Sequence, residues 1–298
     1  MKHKVIVVVG PTAVGKTKIA IELAKKYQLE IISGDSVAVY RGLDIGSAKP
    51  TKEEQNEVVH HLIDVLDPIE QYSVADFQKE ARKWLDRLPI SLICGGTGLY
   101  IQAALFNYEF TAQKRDANFD AAYQTLSNQE LYDLLLKEDP DLSKDKIHPN
   151  NRKRILRALE VLKTSGRSIH SFKRKDEALY DYFIVYLSME RSALYERINQ
   201  RVDQMISDGL IEEVFGLYQK QIYPKAIGYQ ELYPYFKGEI SLLSAVEEIK
   251  KNTRHLAKRQ ETWFKNQMTT HFYEVCPNNT ALTLQRIEKD IEEWMKSK

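Results

Sequence analysis

The first hundred residues alternate between short apolar runs and amphipathic stretches. Residues 5–9 form a β-branched run that ends at Gly10 and Pro11, which predicts a fully buried parallel strand. Residues 30–33 and 90–94 predict two further strands, and apolar positions at helical spacing predict helices over residues 16–27 and 74–85. Strands that alternate with helices predict an α/β fold, with a parallel sheet flanked by helices.

The pattern changes between about residues 111 and 178, where strand-like runs give way to charged, helical sequence. Helices are predicted over residues 128–137 and 151–163, and Gly166 is suited to end the second. Residues 183–187 predict a return to the sheet, and the remainder is expected to be mainly helical. We therefore predict a core of residues 1–110 and 179–298, with a helical insertion domain at residues 111–178.

Composition narrows the class of protein. Apolar residues make up 43% of the 298 residues and charged residues 29%, with a formal net charge of +1, so any basic surface must be local. The two cysteines, Cys94 and Cys276, are too few for a Cys-rich zinc site or a disulfide framework. No run approaches the roughly 20 apolar residues of a membrane helix. We expect a soluble, cytoplasmic protein without a membrane partner.

Residues 10–17 match the pattern G-x-x-x-x-G-K-[ST] in full, directly after a predicted strand and before a predicted helix. The match comprises Gly10, Pro11, Thr12, Ala13, Val14, Gly15, Lys16 and Thr17. In such a loop, backbone N–H groups surround phosphate oxygens, and the helix N-terminus adds positive potential. Lys16 supplies a positive charge, and the Thr17 hydroxyl can ligate Mg²⁺. The sequence therefore predicts a P-loop NTPase-like core that binds a pyrophosphate- or triphosphate-bearing ligand, most commonly ATP or GTP.

Gly10, Asp35 and Gly95 each follow a predicted strand, so three segments are expected to converge at the carboxyl edge of the sheet. No acid follows residues 90–94, where a nucleotide hydrolase or kinase would place one. Asp35 is the only acid at a predicted strand end. Its carboxylate could ligate Mg²⁺, accept a proton from a nucleophile, or serve only as a cap or turn residue.

Further motifs run in order along nearly the whole chain. They are Asp35-Ser36 with Tyr40, the segment DIGSAKP at residues 44–50, His61-Leu62-Ile63-Asp64 with Asp67-Pro68, GGTGLY at residues 95–100, RALEV at residues 157–161, Ala226-Ile227-Gly228-Tyr229, and Thr253-Arg254 with Ala257-Lys258-Arg259-Gln260. Together with the phosphate loop, these motifs resemble the tRNA dimethylallyltransferases.

The resemblance implies transfer of a dimethylallyl group from dimethylallyl diphosphate to N6 of adenosine 37 in tRNA. The phosphate loop would then hold the diphosphate leaving group, with Mg²⁺ neutralising its charge. Alkyl transfer needs neither an attacking water nor the additional carboxylate that a nucleotide hydrolase or kinase would place after residues 90–94. Asp35 would take the proton of the attacking amine or orient it. Thr97 would help to position the leaving group or the base, although a threonine in a glycine-rich turn can also serve only as a cap.

The target adenine lies in an anticodon loop, so it must be unstacked and drawn into the protein, which requires basic surface. The resemblance implies tRNA contacts at Asp35, Ser36, Val37, Ala38, Lys153, Arg154, Arg157, Arg254, Lys258, Arg259 and Gln260. A solvated basic helix end is the alternative for residues 151–163. Thr253 and Gln260 project into the apolar face of a predicted helix near residues 245–266, which indicates a polar channel or a structural hydrogen bond.

The sequence departs from the family pattern at several positions. Ala38 stands where many members have Gln, and an Arg that many members place early in the insertion is replaced near Phe119 and Asp120. Two cysteines could not build the C-terminal zinc finger of eukaryotic members, so the form resembles the bacterial one. We expect it to act as a monomer.

Three alternatives remain open at this stage. The phosphate loop alone is typical of a small-molecule kinase, which would consume ATP. An adenylate-type isopentenyltransferase shares the core but lacks the long insertion and the C-terminal stretch. An RNA-binding regulator with a vestigial nucleotide site would have no need for Lys16, Thr17 and Asp35.

Overall fold

A computed structural model describes residues 2–110, 116, 118–142, 146–172, 174–276 and 279–297. The chain divides into two compact units, one formed by Met1–Leu105 with Leu179–Lys298 and the other by Phe106–Ala178. Residues 111–115, where the sequence predicts the insertion to begin, lie outside the described residues. Within the described part of the chain, no helix combines the length and apolarity needed to cross a bilayer.

The strands of the described chain are β1 (Lys4–Val9), β2 (Ile31–Ser33), β3 (His60–His61), β4 (Ile90–Cys94), β5 (Phe106–Tyr108), β6 (Arg174–Ala178), β7 (Asp181–Ser188) and β8 (His271–Glu274). The α-helices are α1 (Lys16–Tyr27), α2 (Lys52–Glu57), α3 (Val74–Leu85), α4 (Gly98–Leu105), α5 (Asn128–Glu138), α6 (Arg152–Ser165), α7 (Arg191–Ser207), α8 (Leu210–Gln219), α9 (Tyr233–Phe236), α10 (Leu242–Gln267) and α11 (Thr280–Lys296). Short 3₁₀ turns cover Phe119–Tyr123, Ile169–Ser171 and Gln230–Leu232.

The first unit is built on a six-stranded parallel sheet in the order β3-β2-β4-β1-β7-β8. Residues 5–9 of β1 are completely buried, as their unbroken apolar run predicts. Side chains from the sheet and from α1, α7 and α11 form the main core, among them Leu23, Val185 and Ile287. The predicted α/β fold with a parallel sheet is confirmed.

The carboxyl ends of β1, β2 and β4 are joined directly by backbone hydrogen bonds. The Gly34 N–H donates to the Cys94 carbonyl at 2.8 Å, and the Gly95 N–H donates to the Val8 carbonyl at 3.1 Å. The Thr97 N–H donates to the Gly34 carbonyl at 3.3 Å. The residues that follow the three strands therefore meet at one edge of the sheet, as predicted.

The second unit packs α5 against α6 around a small core that includes Leu131, Leu135, Ile155 and Leu159. Asn151 caps the start of α6, because its side chain accepts a hydrogen bond from the Arg154 N–H, and Gly166 ends the helix in the left-handed conformation.

One expectation about strands was wrong. Residues 111–178 are not free of strands, because β6 pairs antiparallel with β5. The sequence of β6, Arg-Lys-Asp-Glu-Ala, has no apolar alternation, so only its pairing with β5 identifies it. The C-terminal part is mainly helical, as predicted, and β8 also extends the parallel sheet beside β7.

Candidate active site

The phosphate loop joins β1 to α1, and two glycines permit its path. Gly10 has φ +149°, and a Cβ atom there would lie 2.4 Å from the Leu187 carbonyl oxygen of β7. Gly15, the residue before α1, has φ +105°. Both conformations strongly favour glycine. The loop can therefore pass close to the sheet and still deliver its chain into the first turn of α1.

Lys16 lies across the loop that carries it. Its ammonium group donates to the Pro11 carbonyl at 2.9 Å. Burial, with a smaller contribution from the nearby positive charge of Arg201, lowers the pKa of Lys16 from its ordinary value of 10.5 to about 8. The ammonium form therefore still predominates at neutral pH, and an anion beside it would offset the cost of its desolvation.

A cavity of about 460 Å³ opens at this edge of the sheet. Its walls include the phosphate loop with α1, the ends of β2 and β4, residues 47–51 with α2, the region of β3, and α7 of the first unit. The polar side chains that line it belong to Thr12, Lys16, Thr17, Lys18, Ser33, Asp35, Ser47, Lys49, Thr51, Glu54, His60, Cys94, Arg197 and Arg201. The phosphate loop and Asp35 thus share one cavity.

Asp35 both shapes its own turn and lines the cavity. One carboxylate oxygen, Oδ1, accepts hydrogen bonds from the backbone N–H groups of Val37 at 2.7 Å and Ala38 at 3.1 Å. Two bonds to one oxygen fix the orientation of the carboxylate. Asp35 can therefore stabilise its turn and also present its carboxylate to a ligand in the cavity.

Thr97 begins α4 through its backbone, since its carbonyl accepts from the N–H groups of Tyr100 and Ile101. Its hydroxyl lies 3.4 Å from the Ser36 hydroxyl, a long contact for a hydrogen bond between two hydroxyls. It is not among the described residues that line the cavity. The structure thus places Thr97 beside the Asp35 turn and leaves its proposed contact with a substrate as a prediction.

Arg197 and Arg201 are cavity residues that the sequence reasoning did not identify. They are four residues apart on one face of α7, and Ile198 and Val202 of the same helix are buried. Burial lowers the pKa of Arg201, and the positive charge of Arg197 adds to this effect. Within the described part of the chain, neither guanidinium has a carboxylate within 4.0 Å. The sequence feature that could have identified them is their spacing of four residues on α7, the helix that follows strand β7.

The segment at residues 44–50, which forms part of the cavity wall, is anchored by Glu213 of α8. Its carboxylate accepts hydrogen bonds from the backbone N–H groups of Asp44 at 3.0 Å, Ile45 at 2.8 Å and Gly46 at 3.2 Å. The hydroxyl of the buried Tyr229 donates to the same carboxylate at 2.6 Å. This anchoring gives the DIGSAKP motif and Tyr229 a shared structural role.

The end of the same segment is tied down by Lys49, whose side chain is 3% exposed. Its ammonium donates to carboxylate oxygens of Asp44 and Asp64, each at 2.6 Å, and to the Tyr40 carbonyl at 2.9 Å. A buried ammonium is tolerated when its donors are paired in this way. Three of the motifs that carry the resemblance therefore meet in one hydrogen-bond network.

The basic residues at the start of α6 differ in their solvent exposure and in the partners of their side chains. Lys153 and Arg154 are exposed, whereas Arg152 donates to the carbonyls of Tyr123 and Leu126. Arg157 pairs at 2.7 Å with Glu160, whose side chain is 3% exposed. Lys153 and Arg154 thus present charge to solvent, while Arg157 also compensates a buried carboxylate.

The residues predicted on α10 also fall into two groups. Lys258 and Arg259 are exposed, but Arg254 donates to the Asn199 side chain of α7 at 2.7 Å. Gln260 hydrogen-bonds with the backbones of Thr12 and Gly96, and the Thr253 hydroxyl donates to the Ile249 carbonyl of its own helix. For Thr253 and Gln260, the structural hydrogen bond is therefore the interpretation that the contacts support.

The residues around the phosphate loop fit a Mg²⁺ ion that is bound together with a phosphorylated ligand. Within the described residues, no cluster of three or more His, Cys, Asp and Glu side chains could hold a metal by itself. Mg²⁺ usually keeps several waters and takes one or two protein ligands plus phosphate oxygens. Thr17, whose hydroxyl can serve as such a ligand, lines the cavity with Asp35.

A phosphate loop at the carboxyl edge of a parallel sheet, with helices on the sheet, defines the phosphate-loop class of α/β proteins. Comparison with known proteins then gives the particular family. The profile of the IPP transferase family matches residues 38–267, and that of the isopentenyl transferases matches residues 3–70.

A tRNA dimethylallyltransferase of Enterococcus faecalis is 46% identical and covers 99% of both chains. The solved structure of the full-length tRNA isopentenylpyrophosphate transferase of Bacillus halodurans is similar with a TM-score of 0.72, at 40% identity over 99% of each chain. A eukaryotic dimethylallyltransferase acting on tRNA has a TM-score of 0.82 at 26% identity, over 98% of this chain and 80% of its own. This chain belongs to the IPP transferase family, as the resemblance predicts.

Proposed function

We propose that the protein transfers the dimethylallyl group of dimethylallyl diphosphate to N6 of adenosine 37 in tRNA and releases diphosphate. The observation that carries this proposal is the cavity that holds Lys16, Arg197 and Arg201 together with Asp35. Three cations and the N-terminus of α1 suit a diphosphate, and one oriented carboxylate suits the removal of a proton.

In this reaction the N6 nitrogen forms a bond to C1 of the allyl group, and the bond between C1 and the diphosphate oxygen breaks. The electron pair of that bond leaves with the diphosphate, whose growing negative charge the three cations stabilise. The amine must also lose a proton, which the Asp35 carboxylate accepts. Because the hydrogen bonds from Val37 and Ala38 hold Oδ1, the carboxylate needs little reorganisation when the proton arrives.

Mg²⁺, when bound through Thr17 and the diphosphate, would neutralise part of the leaving-group charge. The loop itself supplies the remaining contacts, through the N–H groups at the start of α1 and the Lys16 ammonium. No acid that activates water is required, because the group transferred is an alkyl group.

The tRNA acceptor is supported by the exposed Lys153 and Arg154 of α6 and by Lys258 and Arg259 of α10. Each of these two pairs of adjacent cations would attract the phosphate backbone, while the target base must leave its stack to reach Asp35. We further propose that the protein acts as a monomer.

The proposal is tested by offering the protein a choice of acceptors and donors. Purified protein is incubated with labelled dimethylallyl diphosphate and Mg²⁺, and either unmodified tRNA or free AMP is added. A parallel reaction contains γ-labelled ATP. We expect label only in tRNA. Label in AMP would favour an adenylate-type isopentenyltransferase, and transfer of the γ-phosphate to a small molecule would favour a kinase.

A further inference from the structure

Gln260 of α10 bridges two backbone segments that are far apart in the sequence. Its side-chain oxygen accepts a hydrogen bond from the Thr12 N–H of the phosphate loop at 2.9 Å. Its side-chain nitrogen donates to the Gly96 carbonyl at 3.1 Å. One amide thus connects the phosphate loop to the glycine-rich turn that carries Thr97.

The two partners determine the orientation of this amide. A backbone N–H can only donate, so it must face the side-chain oxygen, and a carbonyl can only accept, so it must face the NH₂ group. Glutamine supplies both functions on one side chain. A carboxylate would lack the donor, and an apolar residue would leave both backbone groups without this partner.

The glycine-rich turn is shaped around α10. A Cβ atom on Gly96 would lie 2.2 Å from the Gln260 amide nitrogen, and one on Gly98 would lie 2.1 Å from the Trp263 ring. Such distances are far below van der Waals contact, so both glycines permit the close approach of this helix. The backbone of the turn therefore packs directly on two side chains of α10.

The helix itself is firmly anchored on either side of Gln260. Ala257 and Phe264 are buried, and Ala257 belongs to the main core of the first unit. The Phe264 ring packs at 5.9 Å from the ring of Tyr186 in β7. Gln260 is therefore held by a rigid element, as a residue that fixes the geometry of a site needs to be.

We propose that Gln260 is a positioning residue of the diphosphate site. It fixes the distance between the phosphate loop and the Thr97 turn by acting through Thr12 and Gly96, and it does not bind tRNA. This inference rests on the proposed function, because it concerns the loop that would hold the leaving group. It replaces the tRNA contact that the resemblance implies for this residue.

Loss of Gln260 should therefore change the binding of diphosphate and the reaction rate, but not the binding of tRNA. Without Gln260, the loop loses an anchor and must be ordered by the diphosphate when it binds, which lowers affinity. A displacement of about 1 Å of the reacting groups can also cost on the order of 10²-fold in rate. The tRNA surface is unchanged, so the affinity for tRNA is expected to stay the same.

The test uses Gln260→Ala and Gln260→Met, with Thr262→Ala as the matched control. Met keeps the length of the side chain and its neutrality but removes both hydrogen bonds. Thr262 is exposed on the same helix, and its hydroxyl donates to the Lys258 carbonyl of α10. Circular dichroism and thermal unfolding establish that each variant is folded. Calorimetry then measures binding of inorganic pyrophosphate with Mg²⁺, and filter binding measures the affinity for tRNA.

We expect both Gln260 variants to bind pyrophosphate at least about tenfold more weakly and to bind tRNA within twofold of the wild type. Thr262→Ala should match the wild type in both assays. Weaker tRNA binding with unchanged pyrophosphate affinity would overturn the inference and restore Gln260 as a tRNA contact. Failure of the wild type to bind pyrophosphate would instead contradict the proposed function.

Discussion

Arg201 of α7 and Lys16 of the phosphate loop line the same cavity, and the charge of Arg201 contributes to the lowered pKa of Lys16. Two like charges are costly to hold together in a partly buried site. An anion that binds between them relieves the repulsion. The pair therefore indicates where the negative charge of a substrate is received.

Replacing Arg201 by Ala should weaken the diphosphate site. Loss of one charge-assisted contact typically costs about 1.5–3 kcal/mol, so kcat/KM for dimethylallyl diphosphate should fall by roughly 10- to 100-fold. Arg197→Ala should act in the same direction. Steady-state kinetics at saturating tRNA measure both effects, with Lys220→Ala as a control that removes an exposed cation outside the cavity. Equal values of kcat/KM for Arg201→Ala and Lys220→Ala would show that Arg201 does not contribute to the diphosphate site.

The lowered pKa of Lys16 predicts a pH dependence of ligand affinity. Diphosphate prefers the ammonium form, so the contribution of Lys16 to affinity should be constant below about pH 7 and decline as the pH rises through about 8. The measurement is the ratio of the pyrophosphate affinities of the wild type and Lys16→Met at each pH, in which the titration of the ligand cancels. A ratio that stays constant to pH 10 would contradict the proposal that Lys16, with its lowered pKa, binds the diphosphate.

The same pKa also has a consequence for stability, with the opposite sign. The unfolded chain, in which Lys16 titrates near 10.5, binds more protons than the folded chain between about pH 8 and 10.5. The contribution of Lys16 to the free energy of unfolding should therefore increase with pH across that window. Comparing urea unfolding of the wild type and Lys16→Met at several pH values measures it.

Asp35→Asn separates the two roles of Asp35. Asparagine keeps a side-chain oxygen that can accept from the Val37 and Ala38 N–H groups, so the turn should persist, but its amide cannot accept a proton. We expect kcat to fall by about 10²-fold or more, with pyrophosphate affinity close to that of the wild type. Turnover within a few-fold of the wild type would leave Asp35 with only its role in the turn.

Replacing Lys153 and Arg154 should affect tRNA binding, whereas replacing Arg157 should affect stability. Replacing Lys153 and Arg154 by Gln should weaken tRNA binding and reduce the slope of log affinity against log salt by roughly 1 to 2, without affecting stability. Filter binding at several salt concentrations measures this slope. An unchanged slope would mean that α6 has only a solvated basic end.

Arg157→Ala should instead destabilise the fold. It removes the ion pair between Arg157 and the buried carboxylate of Glu160, which should cost about 2–4 kcal/mol in the free energy of unfolding. Urea denaturation measures this cost, and Lys153→Ala, which alters an exposed side chain on the same helix, is the control. If the two variants are equally stable, the pair with Glu160 has no structural importance.

The sequence predicted the phosphate loop and the meeting of Asp35 and Gly95 with it, because parallel strands bring their carboxyl ends to one edge. It did not identify Arg197 and Arg201, since a pair of arginines on an amphipathic helix is also typical of a solvated face. It marked Gln260 as a polar residue on an apolar face but could not name Thr12 and Gly96 as its partners. Contacts between residues about 160 to 250 positions apart depend on how the helices pack on the sheet.

The central claim is that the phosphate loop holds a leaving group rather than a phosphate that is transferred. The most direct measurement counts products when the protein, Mg²⁺, labelled dimethylallyl diphosphate and unmodified tRNA react to completion. The account predicts one diphosphate released for each dimethylallyl group recovered on N6 of adenosine 37. It would be contradicted if tRNA stayed unlabelled while, in a parallel reaction with ATP, the protein transferred or released the γ-phosphate.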